Sequence, residues 1–260
     1  MHYNTKMSFK IKSLGKPKLK NPILIEGLPG MGNVGKIAVD FMIEHMQAKK
    51  FLEISSHNFP NSVFVNEENL IELPKIGMYY KNTKDRSIMF LAGDVQPTDE
   101  KSCYAFCEEV LDVVEKYRAK EVITLGGIGL PENPNNPAVY KTGNDKRLIA
   151  KYKAKQVSTS LYGFVGPIVG VSGVLLGLSA ERKIPAISFL AETFGHPNHL
   201  GIKGAREILD ILNKNLNLKL NLKELDAEIS SMEEDAEAEK DFLKNIKKNF
   251  QPKKETTYIG

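Results

Sequence analysis

With 260 residues, 42% of them apolar and 26% charged, the chain has the makeup of an ordinary soluble protein long enough to bury one large core. Its net charge of +4 is too small to imply a nucleic-acid partner. The lysines behind it gather near the start (Lys6, Lys10, Lys12, Lys16, Lys18, Lys20) and near the end (Lys244, Lys247, Lys248, Lys253, Lys254), where they read as solvated surface.

In chain order, the apolar run at residues 22–26 reads as a buried strand that ends in glycine. A glycine loop follows, and residues 34–46 place Val34, Ile37, Ala38, Phe41, Met42 and His45 at helical spacing. Residues 51–55 are a second strand. Short β-prone runs at 63–65, 70–73 and 78–80, separated by Asn, Pro and Gly, predict a meander or an extra β layer, and 87–92 is another buried strand. Thr98 or Asp99 caps a helix that runs to about Arg118, with Glu100 in its acidic first turn. Cys103 and Cys107 share one face of that helix, which suits burial and not a disulfide framework. A reducing, cytoplasmic setting is expected, and no apolar run behind the N-terminal charges marks a signal peptide.

Residues 122–125 form a strand that opens into Gly126-Gly127-Ile128-Gly129, and turn formers at 131–137 make a loop. Strand candidates at 155–160 and 164–165 precede a helix at 173–182, a strand at 186–191 and a helix at 201–215. Residues 156–180 carry no charge, and Gly166/Gly170 and Gly173/Gly177 have the small-xxx-small spacing of membrane helices. Five glycines and Pro167 argue against a span there and for a buried strand, loop and short helix. Alternating strands and helices predict an α/β fold over residues 1–217, a mostly parallel sheet with helices on both faces.

The C-terminal residues differ. Leu222, Leu225, Ile229, Met232, Ala236, Glu239, Leu243, Ile246 and Phe250 step three and four apart, a heptad seam with one polar interruption. It predicts a long helix over residues 218–251, stopped by Pro252 and followed by a flexible tail at 252–260.

The loop Gly27-Leu28-Pro29-Gly30-Met31-Gly32-Asn33-Val34-Gly35-Lys36 half-matches two signatures. Gly30, Gly32 and Gly35 fit a dinucleotide fingerprint, and Gly30, Gly35 and Lys36 fit most of a phosphate-binding P-loop. Ile37 stands where a magnesium-binding hydroxyl is needed, and Ser55 and Ser56 stand where an acid would take a ribose hydroxyl. A tight strand-to-helix turn built on Gly30, Gly32, Asn33 and Gly35 is the preferred reading, with ligand binding the alternative. Glu192, His196 and His199 make a weak metal set, Asp94, Glu181 and Glu192 are carboxylates near strand ends, and no nucleophile–base pair can be assigned. No cofactor or metal is expected.

Three blocks in order carry a family resemblance. The opening loop at 27–35, the element Gly126-Gly127-Ile128-Gly129, and the block from Gly166-Pro167-Ile168 through Gly173-Val174-Leu175-Leu176 to Leu190-Ala191-Glu192-Thr193 resemble the archaeal proteasome-assembly-chaperone family, homologues of the eukaryotic proteasome assembly chaperone 2. The resemblance implies a phosphorylase-like α/β fold without the catalytic set, a homo-oligomer, and a chaperone of proteasome α subunits. It also implies a C-terminal tail that docks between α subunits and ends in a hydrophobic residue, tyrosine and any residue. Here the end is Thr257, Tyr258, Ile259, Gly260, with the tyrosine one place early and Thr257 in place of the hydrophobic residue. The alternative function is a nucleotide- or nucleoside-binding enzyme, ligase-like or phosphorylase-like, that uses the glycine-loop pocket. A third is a purely structural oligomer.

Overall fold

A computed structural model describes residues 9–153, 157–158 and 166–232. Nine strands form one sheet in the order β1-β3-β6-β7-β2-β8-β11-β9-β10. They are β1 (Lys10–Ser13), β2 (Ile23–Gly27), β3 (Lys49–Ser55), β6 (Ile76–Asn82), β7 (Ser87–Gly93), β8 (Val122–Leu130), β9 (Val139–Gly143), β10 (Val157–Ser158) and β11 (Ala186–Phe194). The centre, β7-β2-β8-β11, is parallel throughout. Beyond it β6, β3 and β1 run antiparallel to their neighbours on one flank; on the other, β9 is antiparallel to β11 and parallel to β10. All five residues of β2 are buried, which is why it reads as an apolar run closed by Glu26 and not as an alternation.

In the first of the chain's two units, five described α-helices pack with the sheet: α1 (Val34–His45), α2 (Glu100–Lys116), α3 (Lys146–Lys151), α4 (Val171–Glu181) and α5 (Ile202–Leu216). α1 packs on β2, β8 and α5, and α5 lies along β11. α2 packs on α4 over the other face, where Phe106, Cys107, Val110 and Leu175 meet Leu24, Met78, Met89 and Val122 in one core. Asp99 starts α2 as predicted, its carboxylate accepting from Ser102 N at 3.0 Å. At the other end of this layer, Arg182 donates to Asp112 (2.7 Å), Glu115 (3.1 Å) and Glu108, fastening α4 to α2. Both cysteines are buried and free.

Several elements differ from the sequence expectation. β8 does not stop at Leu125: it continues through Gly126–Gly129, because β11 pairs with it residue by residue from Ala186 opposite Val122 to Phe194 opposite Leu130. β1, β9 and α3 carry no clear periodicity of their own and take their shape from neighbours. β1 is an exposed Lys-Ile-Lys-Ser edge strand on β3, and α3 is tied down by Glu121. That buried carboxylate accepts from Lys151 (2.7 Å) and from the Tyr152 hydroxyl (2.6 Å). Residues 64–65 (β4) and 71–72 (β5) form a separate two-stranded hairpin, whereas the third β-prone run joins the main sheet as β6. Of the weak strand candidates, only residues 157–158 are described.

The chain divides into two compact units, Met1–Asn221 and Leu222–Gly260. In the second, residues 223–232 are helical and carry the first residues of the seam; the rest of the seam and Thr257–Gly260 lie outside the described residues. Among the described residues no helix is long and apolar enough to cross a membrane.

Phe106 is fully buried, with ring centroids 5.5 Å from Phe9 and 6.2 Å from Phe59. It pins Phe9, just before β1, and Phe59, after β3, to α2. Phe106→Ala is expected to cost about 3–5 kcal/mol, lowering Tm by roughly 10 °C in a thermal melt.

Candidate functional site

The parallel strands end along one edge of the sheet, and the chain leaves β2 toward β7 on one side and returns to β8 on the other. Open α/β sheets hold ligands at such a reversal. A cleft of about 420 Å³ sits there, between the Leu28–Met31 loop, the glycine segment of β8 and the segment that leads into α4.

Glycine shapes the cleft by letting backbones touch. A β-carbon on Gly27 would lie 2.2 Å from the Gly35 carbonyl oxygen, and one on Gly35 would lie 2.3 Å from that of Leu125. On the β8 side, a β-carbon on Gly127 would lie 2.3 Å from the Met31 carbonyl oxygen. α1 therefore begins in direct contact with β2 and β8. Gly32 (φ 60°) and Asn33 (φ 52°) turn the chain through the left-handed region, which glycine adopts freely and asparagine tolerates. Gly30 differs, since a β-carbon there meets nothing within 4 Å.

The polar groups of the loop serve one another. Leu28 N donates to Glu26 at 3.0 Å, Asn33 N to the Gly30 carbonyl at 2.9 Å, and Gly201 N to the Gly32 carbonyl at 2.7 Å. Gln96 bridges the cleft: its amide nitrogen donates to the Pro29 carbonyl, and its oxygen accepts from Val171 N at 3.1 Å. The first amide of α4 is thereby used. Lys36, the P-loop-like lysine, turns away from the loop to Asp40 (2.7 Å) and Asp94 (2.8 Å). Burial works against its charge, but these hydrogen bonds outweigh it and hold the ammonium above its ordinary range.

Beneath the loop lies Glu26, fully buried at the end of β2. Ser172, on the cleft wall at the start of α4, donates to its second oxygen at 2.9 Å. Burial pushes the Glu26 carboxyl from 4.5 up to about 7, against the smaller lowering effect of the two hydrogen bonds. Glu26, Gln96 and Ser172 are the residues that sequence reasoning missed. For Glu26 the signal was present: an acid closing an otherwise apolar central strand. Gln96 and Ser172 carried none.

The other candidates disperse. Asp94 is spent on Lys36, and Glu192 accepts from Ala138 N (2.9 Å) and the Tyr140 hydroxyl (3.0 Å). Glu181 closes α4. His196 stacks on Phe194 and His199 meets the same ring edge-on, each at 5.6 Å. Among the described residues no group of three or more His, Cys, Asp or Glu is placed to hold a metal. What faces the cleft is mainly apolar: Leu28, Met31, Leu125, Ile128, Ile168 and Leu190. Met31 and Val169 stand exposed. Such walls favour an apolar group over a phosphate.

The sequence profile of the PAC2 family matches residues 24–239, and the chain belongs to that family. An uncharacterized protein of Methanocaldococcus jannaschii is 30% identical over 249 residues, 93% of each chain. Among solved structures, Pyrococcus furiosus PbaB, described as an archaeal proteasome activator, is 31% identical with a TM-score of 0.83, over 90% of this chain and 99% of its own. PbaA of the same organism, described as an archaeal homolog of proteasome-assembly chaperone, shares the fold at 24% identity and a TM-score of 0.73, over 96% and 99% of the two chains.

Glu26 sets a pH dependence. Its folded value lies above its unfolded one, so the folded protein keeps a proton that the unfolded chain releases. Stability therefore falls as pH rises from about 4.5 to about 7 and levels off above. The fall amounts to roughly 3 kcal/mol at most. Glu26→Gln keeps an acceptor for Leu28 N and offers Ser172 a donor, so its urea midpoint should decline less between pH 5 and pH 8 than the parent's.

Proposed function

We propose that this protein is a non-catalytic, homo-oligomeric proteasome-assembly-chaperone-like protein of the cytoplasm that engages proteasome α subunits through its C-terminal helix and tail. The observation that carries the reading is the likeness to PbaB, which extends over nearly the whole of both chains at 31% identity. The chemistry of the cleft agrees with it. Gln96, Ser172 and Glu26 are bonded within the fold, and the P-loop-like lysine is paired with two aspartates outside the loop. A glycine loop that supports the sheet and does not cradle a nucleotide is what a binding protein needs.

The delivery device is the segment from residue 218 onward: a heptad-bearing helix, then Thr257, Tyr258, Ile259 and Gly260. Tyr258 provides an aromatic anchor with a polar tip, the kind of side chain that fills a pocket between subunits. A second reading, stimulation of the mature proteasome, draws on the description of PbaB as an activator. It shares the docking step and differs in the effect that docking has on the partner.

The test mixes the full chain, or the chain lacking residues 252–260, with purified 20S proteasome and with free α ring on native gels. The full chain should co-migrate and the shortened chain should not, while the oligomer stays the same size. Unchanged binding after truncation would remove the tail mechanism. Peptide hydrolysis by mature 20S separates the two readings, since only an activator raises it.

A further inference from the structure

Six of the thirteen exposed large apolar side chains among the described residues belong to one hairpin: Val63, Phe64, Val65, Leu70, Ile71 and Leu73. Val65 and Ile71, opposite each other across β4 and β5, are 67% and 73% exposed. The hairpin is nevertheless well formed. Asn66 accepts from Glu68 N (3.0 Å) and Leu70 N (2.9 Å) and donates to Glu72 (3.0 Å), and the hairpin's root is pinned by Phe59 in the ring cluster with Phe9 and Phe106. A two-stranded ribbon is marginal alone, and a preformed one that shows this much apolar surface marks an interface.

Its charges indicate what covers it. The hairpin carries Glu67, Glu68 and Glu72, all exposed, and the first two make no ion pair among the described residues. The same surface holds the complement. β1 ends the nine-strand order, so among the described residues its outer edge has no partner strand. From residue 10 to residue 20, Lys10, Lys12, Lys16, Lys18 and Lys20 are exposed with no acidic residue among them, and Ile11 and Leu14 are exposed between them. The two patches are neighbours: Lys10, Ser55, His57, Val63 and Leu73 line one groove of about 620 Å³ between the hairpin root and β1.

We propose that the β4–β5 hairpin of one copy docks on the β1 edge of a second copy of this chain, apolar side chains on Ile11 and Leu14 and glutamates against lysines. Because each copy has both patches at one corner, each gives a hairpin and receives one. The proposal rests on the homo-oligomer part of the reading above and is independent of what the oligomer binds.

Sedimentation of the purified full chain tests it. The protein should be assembled, more weakly at high salt because the charges are screened. Val65→Lys with Ile71→Lys should dissociate it while the far-UV CD spectrum stays that of the parent, since both positions are exposed in the single chain. Glu67→Lys with Glu68→Lys, and separately Lys10→Glu with Lys16→Glu, should each raise the dissociation constant about tenfold or more; all four changes on one chain should restore assembly. A monomeric parent, assembly indifferent to the hairpin variants, or reversals that fail to rescue each other would overturn the proposal. So would assembly that depends only on residues 233–260, the mark of a helical seam. A chain that assembles as described but ignores the α ring leaves this inference standing and removes the functional reading instead.

Discussion

The fold depends on a backbone-to-backbone contact at the start of α1. Gly35 rests on the Leu125 carbonyl and Gly27 faces the Gly35 carbonyl, at separations no side chain allows. With the helix seated that deeply on β2 and β8, Met31 comes against Gly127 and Val34 beneath Gly201, and the loop between them closes into the wall of the cleft. The direction of Lys36 belongs to the same arrangement. It leaves the first turn of α1 toward Asp40 on the next turn and Asp94 after β7. Glycines that suggest a phosphate cradle when read as a string are here the means of bringing a helix close to a sheet.

The central strands and the long helices were legible because burial leaves a strong pattern. β2, β7 and β11 are apolar runs with few interruptions, and α2 announces itself with an aspartate cap that the structure keeps. The boundaries that moved are those set from outside the segment. Gly126–Gly129 are poor strand formers taken singly, and β11 holds them in the sheet by pairing along their whole length. β1 and α3 are short polar segments whose shape comes from β3 and from Glu121. At the site, the glycines were visible and the groups that organise them were not, since nothing local distinguishes Gln96 or Ser172 from any other loop or helix residue.

Two surfaces therefore have different characters. At the strand ends Glu26, Gln96 and Ser172 are bonded within the fold and the rest of the wall is mainly apolar, an arrangement that spends its chemistry on holding itself together. At the β1 corner the reverse holds: the lysines of residues 10–20 and Glu67 and Glu68 of the hairpin stand exposed, with apolar side chains among them. The first surface resembles a finished interior and the second half of a contact.

One small feature of the core has a practical side. Cys107 is fully buried and directs its thiol to the Val171 carbonyl at 3.8 Å, and Cys103, one turn earlier, is only 6% exposed. The Cys107 sulfur is closed to a reagent while α2 lies on α4. It therefore works as a built-in clock: the rate at which a thiol reagent consumes Cys107 in the native protein reports how often the two helices part, with no label added to the chain.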